Sequence, residues 1–290
     1  MEFHADFFCL NIAKKFPTLD PHRRDHITKI AKSMLNVARE AALEAGKFLK
    51  YNLGRVKHIE RKQGQETNLV TEIDKGAEAL IIKKIKQHYP SHNILAEESG
   101  EQNIESEYKW VIDPLDGTTN FTHSLPIFCV SIGVELNGSI VAGAIYDPSA
   151  DEMFTAEKGR GAFLNGKKIH VSSNDLLINS LLVTGFPYNV KDNPNHVVEH
   201  FANFLKEGQG VRRLGSAALD LAYVAAGRLD GFWEVFLNPW DKAAGVLLVQ
   251  EAGGVVTDFT NNSTTIYEQN TLATNGKIHD QMIAVLRKSL

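Results

Sequence analysis

The sequence has few cysteines and no long apolar run, and both absences restrict its class. Cys9 and Cys129 are the only two thiols among 290 residues, too few for a disulfide framework, which favours a reducing compartment. Cys129 lies in an apolar run and is predicted to be a buried small side chain. No run approaches the ~20 apolar residues of a membrane span, and the N-terminus lacks the pattern of a signal peptide. We therefore expect a cytoplasmic protein without membrane contact.

A strong charge of one sign is also absent. Lys and Arg number 31 and Asp and Glu number 35, for a net charge of −4, so direct nucleic-acid binding is not expected. His88, His92 and His123 are not interpreted as the ligands of a zinc site. The chain has no Gly-x-Ser-x-Gly elbow, and neither cysteine has reactive surroundings. No side-chain nucleophile therefore stands out.

The first 33 residues differ from the rest of the chain. They are mixed in character and include Pro17, Pro21 and the basic run 22–24, whereas an amphipathic helical pattern opens at Met34. We interpret residues 1–33 as an N-terminal extension, outside the fold. Residues 34–290 are then a single domain with two halves, 34–175 and 176–290. The alternative is that residues 1–33 add a helix packed on this domain.

Turn signals and hydrophobic periodicity predict the element order. Asn137-Gly138 and Asn165-Gly166 are hairpin turns, so the middle of the chain is predicted to be antiparallel strands. Beyond residue 180 strands and helices alternate, the strands at 181–184, 211–214, 231–235, 255–259 and 271–274 and the helices at 194–206, 216–226 and 241–252. This mixture favours an α/β or α+β layered fold.

The stretch from Trp110 to Phe121, W-V-I-D-P-L-D-G-T-T-N-F, is the most informative part of the sequence. An apolar run leads into Asp113, Pro114 ends the strand, and Asp116 precedes a Gly-Thr-Thr turn. Two carboxylates fixed by a proline and a glycine suit a hard cation such as Mg²⁺. The alternative is a strand-end turn in which both aspartates only cap the backbone.

Other carboxylates stand at the ends of predicted elements. Glu97 and Glu98 follow a short strand at 93–96. Asp74 and Asp241 each stand at the start of a predicted helix, and a role as N-cap could by itself explain both. Carboxylates gathered at one place would repel one another unless cations lay between them. The candidate metal ligands are Glu97, Asp113, Asp116 and Asp241.

Three separated motifs resemble the inositol monophosphatase family: E-E-S at 97–99, the 110–121 stretch, and W-D-K-A-A-G at 240–245 followed by E-A-G-G at 251–254. The resemblance runs from about Met34 to the C-terminus, and Arg212 to Glu234 is similar to the bacterial SuhB-like branch. It implies a layered αβαβα sandwich of the inositol monophosphatase and fructose-1,6-bisphosphatase type, with residues 34–175 as the metal-binding half. The implied activity is that of a Mg²⁺-dependent, Li⁺-sensitive phosphomonoesterase, which forms a homodimer.

The resemblance also implies a ligand for each metal ion. Glu97, Asp113 and the backbone carbonyl of Leu115 would hold a first Mg²⁺. Asp113, Asp116 and Asp241 would hold a second, with Asp113 bridging the two, and a third, weaker ion would use Glu97 and water. Mn²⁺ can substitute. Two such ions can activate water on one side of a phosphate ester and stabilise the leaving oxygen on the other, so direct attack by water is predicted.

Catalytic and substrate-binding roles come from the same resemblance. Thr118, hydrogen-bonded to Asp74, would orient or deprotonate the attacking water, with Glu97 as a further catalytic group. Lys62 would lie on a mobile loop. The implied substrate-binding residues are Asp116, Gly117, Thr118, Ala217, Glu234 and Asp241, with the amides of Gly117 and Thr118 receiving the phosphate.

The substrate predicted first is myo-inositol 1-phosphate, because a carboxylate at Glu234 would accept hydrogen bonds from hydroxyls and repel a second phosphate. The alternatives are fructose 1,6-bisphosphate, histidinol phosphate or a 3′-phosphoadenosine nucleotide. A second class of function is a protein-binding role in transcription antitermination and ribosome production, as the SuhB-like branch implies. Arg212 and Arg213 are candidates for subunit pairing or partner binding, or else solvated charges at a strand end.

Overall fold

The computed structural model of the chain describes residues 21–61 and 69–289, with side chains from Ser33 onward. Its helices are α1 (Pro21–Asn52), α2 (Glu72–His88), α3 (Thr118–Thr122), α4 (Val197–Glu207), α5 (Ala217–Ala225), α6 (Pro239–Glu251) and α7 (His279–Leu286). Short 3₁₀ turns cover Leu177–Asn179, Val190–Asp192, Pro194–His196 and Arg287–Ser289. None of the helices in these ranges has the length and apolar content that a membrane crossing requires.

A large sheet of eight strands forms from the first half of the chain. The strands are β3 (Asn93–Ala96), β4 (Gly100–Glu101), β5 (Tyr108–Asp116), β6 (Cys129–Leu136), β7 (Ser139–Asp147), β8 (Glu152–Glu157), β9 (Gly161–Leu164) and β10 (Lys167–Ile169). Their order in the sheet is β10-β9-β8-β7-β6-β5-β3-β4, and only the β3–β5 pair is parallel. The two predicted hairpins, at Asn137-Gly138 and Asn165-Gly166, are confirmed as the β6–β7 and β9–β10 turns.

Two smaller sheets complete the strands. A five-stranded mixed sheet has the order β12-β11-β13-β15-β14, and β1 pairs with β2 in a separate ribbon. The strands are β1 (Ile59–Arg61), β2 (Leu69–Thr71), β11 (Leu181–Thr184), β12 (Gly210–Arg212), β13 (Gly231–Glu234), β14 (Val255–Thr257) and β15 (Thr271–Thr274). The predicted alternation of strands and helices beyond residue 180 is confirmed, with element ends shifted by a few residues.

The helices and sheets stack in five layers. α1 and α2 pack on one face of the large sheet, and α5 and α6 pack on its other face. The five-stranded sheet lies on the far side of α5 and α6, and α4 and α7 cover its outer face. This arrangement confirms the predicted αβαβα sandwich.

Helix α1 crosses the predicted boundary of the N-terminal extension. It begins at Pro21, so residues 21–33 continue the helix that carries Met34. Met34 is 1% exposed and belongs to the core beneath the large sheet. Residues 1–20 and Lys62 lie outside the described residues, and the assignment of residues 1–33 as an extension stays a prediction.

Candidate active site

A cavity of about 770 Å³ opens where the C-terminal end of β5 meets the N-termini of α5 and α6. It brings together residues that lie far apart in the sequence. Among those predicted for the site, it is lined by Glu97, Asp113, Leu115, Asp116, Gly117, Thr118, Arg213, Ala217, Glu234 and Asp241. Asp74 and Arg212 do not line it.

Two of the acidic residues lie on β5 and are held by backbone and hydroxyl donors. The β5–β6 register shifts between Asp113 and Asp116, which places the two side chains at a strand irregularity. The amide of Leu115 donates to Asp113 Oδ1 at 3.0 Å. Ser216 Oγ at 2.6 Å and the amide of Ala218 at 2.7 Å both donate to Asp116 Oδ2. The start of α5 therefore orients the Asp116 carboxylate across a separation of about a hundred residues in the sequence.

Glu97 reaches the same edge because β3 and β5 are parallel neighbours. Residues Asn93–Ala96 pair with residues 109–112 of β5, and the Glu97 amide donates to the Ile112 carbonyl at 3.1 Å. The ends of parallel strands meet at one edge of a sheet, where α/β proteins commonly bind ligands. The half-buried Glu97 is thus placed beside Asp113 by strand pairing.

Asp241 and Asp74 occupy equivalent positions at the starts of two helices. The alternative that each is only an N-cap does not hold, because Thr71 caps α2 and Asn238 caps α6. Each aspartate is the third residue of its helix and forms a capping box, in which its carboxylate accepts from the amide of the capping residue. Asp241 Oδ2 lies 2.6 Å from the Asn238 amide, and Asp74 Oδ2 lies 2.9 Å from the Thr71 amide.

The gathered carboxylates hold negative charge out of water. Burial, and then the charges of Glu97 and the other acidic neighbours, raise the pKa of Asp113 and of Asp241 well above the usual range. Burial also raises the pKa of Asp116, although its donors from Ser216 and Ala218 act in the opposite direction. A Glu97–Asp113 side-chain hydrogen bond contributes to the raised pKa of Asp113. Two carboxyl groups can approach in this way only when a proton or a cation lies between them.

The chemistry of this donor set fits a hard divalent cation. All the side-chain donors are carboxylate oxygens, which Mg²⁺ and Mn²⁺ prefer, and their mutual repulsion is what a cation would remove. Within the described ranges, no three or more His, Cys, Asp or Glu side chains are already arranged to hold a metal ion.

A hydroxyl–carboxylate pair stands beside the acidic group. Thr118 Oγ1 lies 3.0 Å from Asp74 Oδ1 and 3.0 Å from the Leu115 carbonyl oxygen. Asp74 also accepts a hydrogen bond from Thr71 Oγ1, and the side chain is buried. Burial raises the pKa of Asp74 to about 6, against the lowering effect of its hydroxyl and amide donors. The hydrogen bond predicted between Thr118 and Asp74 is therefore present.

Gly117 allows the chain to turn between β5 and the short helix α3. Its φ is +100°, a left-handed conformation that glycine adopts without strain. A Cβ there would lie 2.9 Å from the Ile127 carbonyl oxygen. This turn sets the position of Thr118 relative to Asp113 and Asp116.

Comparisons with known proteins show the family of the chain. The model of the inositol monophosphatase family matches residues 31–290. The chain belongs to the inositol monophosphatase family. It is 45% identical over 258 residues to the Nus factor SuhB of Escherichia coli K12, covering 89% of this chain and 97% of the relative. It is 47% identical over 254 residues to the inositol-1-monophosphatase of Synechocystis sp. PCC 6803, covering 87% of this chain and 88% of the relative.

A solved structure of the family has the same fold. The extragenic suppressor protein suhB of Bartonella henselae superposes with a TM-score of 0.84 at 41% identity, over 89% of this chain and all of that one (100%). Membership makes the chain a phosphatase of the inositol monophosphatase family, which is generally metal-dependent.

The far wall of the cavity holds a second set of charged residues. The resemblance to inositol monophosphatases predicted some of them as site residues and missed others. Glu234 ends β13, and its carboxyl group packs so closely on Gly185 that a Cβ there would lie 2.2 Å from Glu234 Oε1. Burial raises the pKa of Glu234 to about 8, and the charge of Arg213 acts against this rise. Arg212 and Arg213, the two candidates for a partner contact, are both exposed, and of the two only Arg213 lines the cavity.

Asp220 and Tyr188 also line the cavity and were missed from the sequence. Asp220 is 1% exposed on α5. Tyr188 lies on the segment after β11, and the acidic group contributes, after burial, to raising the pKa of its phenol. The signal for Asp220 was present in the sequence, as an aspartate inside the apolar helix A-A-L-D-L-A, where an unpaired charge is rarely buried without a role. No comparable signal marks Tyr188.

The raised carboxyl pKa values predict how stability depends on pH in the metal-free protein. Folded-state values of about 6 for Asp74 and about 8 for Glu234 exceed the unfolded values of roughly 3.9 and 4.3. The folded state then binds more protons, so the free energy of unfolding should fall as pH rises from about 4 to about 8. Thermal melts in EDTA should show a falling melting temperature over this range, which Mg²⁺ reverses at pH 8. A melting temperature that rises with pH in EDTA would contradict this.

Proposed function

We propose that the chain hydrolyses myo-inositol 1-phosphate to inositol and phosphate by direct attack of water, with bound Mg²⁺. The observation that carries the proposal is a single cavity with three sets of groups. Glu97, Asp113, Asp116 and Asp241 supply acidic oxygens, Thr118 brings the hydroxyl bonded to Asp74, and Glu234 supplies a hydrogen-bond acceptor. A phosphomonoesterase needs these three provisions: cation binding, a positioned proton acceptor and recognition of the alcohol.

The proposed metal ligands are Glu97, Asp113, the Leu115 carbonyl, Asp116 and Asp241, for two to three Mg²⁺ ions or Mn²⁺ in their place. Bound divalent ions would lower the pKa of water and stabilise charge on the phosphate and the leaving oxygen. The backbone and hydroxyl donors to Asp113, Asp116 and Asp241 orient each carboxylate before an ion arrives. Such preorganisation reduces the rearrangement that binding requires.

Thr118 and Asp74 are the proposed route for the proton of the attacking water. The oxygen of the Thr118 hydroxyl would accept a hydrogen bond from the attacking water. The same hydroxyl would donate its hydrogen to Asp74 Oδ1, 3.0 Å away. Thr71, through its amide and hydroxyl, holds the other Asp74 oxygen. The carboxylate is therefore fixed in orientation, and its pKa of about 6 suits a proton acceptor near neutral pH.

The polyol would lie against Glu234 and the start of α5. Glu234 would accept hydrogen bonds from ring hydroxyls, and the Ala217, Asp116 and Asp241 positions line the adjoining wall. The amides of Gly117 and Thr118 are proposed to receive the phosphate. A second phosphate near Glu234 would meet a half-buried carboxyl group, which favours a monophosphate.

A substrate panel tests the proposal. Released phosphate is measured with Mg²⁺ for myo-inositol 1-phosphate, fructose 1,6-bisphosphate, histidinol phosphate and a 3′-phosphoadenosine nucleotide. We expect the highest kcat/KM for inositol 1-phosphate and loss of activity in EDTA that Mg²⁺ or Mn²⁺ restores. A strong preference for a bisphosphate would refute the substrate assignment, and hydrolysis unaffected by EDTA would refute metal dependence. Heat-denatured protein serves as the control for non-enzymatic release.

A protein-binding role is the second candidate, and the 45% identity to a protein named Nus factor SuhB favours it. A chain of this branch could act in transcription antitermination and ribosome production through a protein partner, with Arg212 or Arg213 at the contact. Asp241→Asn separates catalysis from binding at Arg212, because it removes an acidic group of the cavity, which Arg212 does not line. Rescue of a deletion strain by this inactive variant would show that binding is the main task, and failure to rescue would favour catalysis.

Further properties form part of the proposal. The family resemblance supports a homodimer and inhibition by Li⁺, and the low cysteine content supports a cytoplasmic location.

Cys129, the one free cysteine in the described part of the chain, is buried beside Asp116. Burial raises the pKa of its thiol, which keeps it protonated and unreactive.

A further inference from the structure

Asp220 is a buried carboxyl group with an unused acceptor on the cavity wall. It lies in the first turn of α5, is 1% exposed and lines the cavity. Its Oδ1 has no hydrogen-bond partner among the described residues. A buried acceptor without a partner is costly, and in a native fold such a group requires an explanation.

A role in stabilising α5 does not explain Asp220. An acidic residue in the first turn of a helix usually gains from the amides at the helix start. In α5 the amide of Ala218 and the hydroxyl of Ser216 are used by Asp116. Asp220 faces the cavity instead, where its electrostatic neighbours are Glu234, Asp116 and Arg213.

The charges around Asp220 indicate what kind of group would satisfy it. Arg213 from the segment before α5 offsets part of the negative charge of Asp220 and of Glu234. A ligand that binds here therefore needs hydrogen-bond donors more than it needs a positive charge. Two carboxyl groups, one on α5 and one at the end of β13, can accept from two hydroxyls of one ring.

We propose that Asp220 is a specificity-determining residue whose Oδ1 accepts a hydrogen bond from a hydroxyl of the polyol phosphate, beside Glu234. The inference deepens the proposed function and rests on it. A site built to bind a hydroxyl rejects a substrate that lacks one, because the buried acceptor is then left unpaired. Asp220 would therefore separate hydroxyl-rich alcohols from leaving groups that have no donor.

Two variants and two substrates test this role. Asp220→Leu keeps the volume and removes the acceptor, whereas Asp220→Asn keeps an acceptor oxygen. The substrates are myo-inositol 1-phosphate and 4-nitrophenyl phosphate, whose leaving group carries no hydroxyl donor. For Asp220→Leu we expect KM for inositol 1-phosphate to rise about tenfold with kcat little changed, and no change with 4-nitrophenyl phosphate. Asp220→Asn should recover most of the affinity.

Asp230→Asn is the matched control, because Asp230 is also buried but both of its oxygens accept from structural donors and it does not line the cavity. It should lower the melting temperature and leave the ratio of kcat/KM between the two substrates unchanged. If Asp220→Leu fails to fold, Asp220→Ala takes its place.

Equal losses on both substrates, or an Asn variant as impaired as the Leu variant, would overturn the role of Asp220. An unchanged ratio in Asp220→Leu, with inositol 1-phosphate still hydrolysed by the wild type, would do the same and leave the proposed function intact. A wild type that does not hydrolyse inositol 1-phosphate would instead refute the proposed function.

Discussion

Replacing Asp113 by asparagine should abolish phosphate release and, in the metal-free protein, raise the melting temperature. Activity should fall while stability rises, because the Asp113 carboxylate is needed when ions are bound and is destabilising when they are absent. With ions bound, Asp113 would be one of their ligands, and losing several kcal/mol of charge stabilisation corresponds to a fall in kcat/KM of about 10³-fold or more. Without ions, Asp113 is 2% exposed, and burial together with Glu97, Asp116 and Asp241 opposes its ionisation.

The asparagine removes this repulsion and keeps the local structure. Its side-chain oxygen can still accept from the Leu115 amide, which now donates to Asp113 Oδ1 at 3.0 Å. A gain of 1 kcal/mol would raise the melting temperature by roughly 2–4 °C for a chain of this order of size. The wild type should gain about 2.7 kcal/mol from Mg²⁺ at a hundred times its Kd, and the variant should gain far less.

Calorimetry in EDTA and in Mg²⁺, with phosphate release measured on the same samples, checks both effects. Asp230→Asn is again the control, since it should lower stability in both buffers and keep activity. An Asp113→Asn protein that is less stable than wild type in EDTA would show that the acidic group is not under repulsion. A full Mg²⁺-dependent rise in its melting temperature would show that Asp113 is not a principal ligand.

The sequence predicted the layers of the fold and the acidic residues of the site for identifiable reasons. Asn-Gly turns and alternating apolar residues specify the hairpins of the large sheet locally. Glu97 stands out because it follows a predicted strand, Asp241 because it stands at the start of a predicted helix, and Asp113 because an apolar run leads into it. Their meeting in one cavity depends on the parallel β3–β5 pairing and on the packing of α6 against the large sheet, which are long-range contacts that no local pattern encodes.

The alternative N-cap role fails at Asp74 and at Asp241 for one reason. It was considered for both because aspartate favours that position. The spacing Thr71-x-x-Asp74 and Asn238-x-x-Asp241 is that of a capping box, in which the acidic residue comes third. Applying that pattern would have corrected both helix starts. Arg212 and Arg213 could not be distinguished in this way, because which neighbour faces the cavity depends on the turn before α5.

The Thr118–Asp74 pair provides the second large effect. Thr118→Val keeps the shape of the side chain and removes the hydroxyl that lies 3.0 Å from Asp74 Oδ1. We expect kcat to fall by about 10²–10⁴-fold with little change in KM, because positioned proton transfer acts in the transition state and not in substrate binding. Thr118→Ser, which retains the hydroxyl, should keep most of the activity, and retention of most activity by Thr118→Val would contradict the role.

The pair should also act as a unit and carry a pH signature. The double variant Thr118→Val with Asp74→Asn should be little worse than either single variant, because removing one member already breaks the relay. Asp74 must be ionised to accept a proton, and bound cations favour the ionised form, so kcat/KM of the Mg²⁺-loaded wild type should rise with pH below about 6, the pKa of Asp74 in the metal-free protein. In Asp74→Asn this rise should disappear while circular dichroism stays native. Its persistence in the variant would assign the titration to another group, and additive losses in the double variant would separate the two residues.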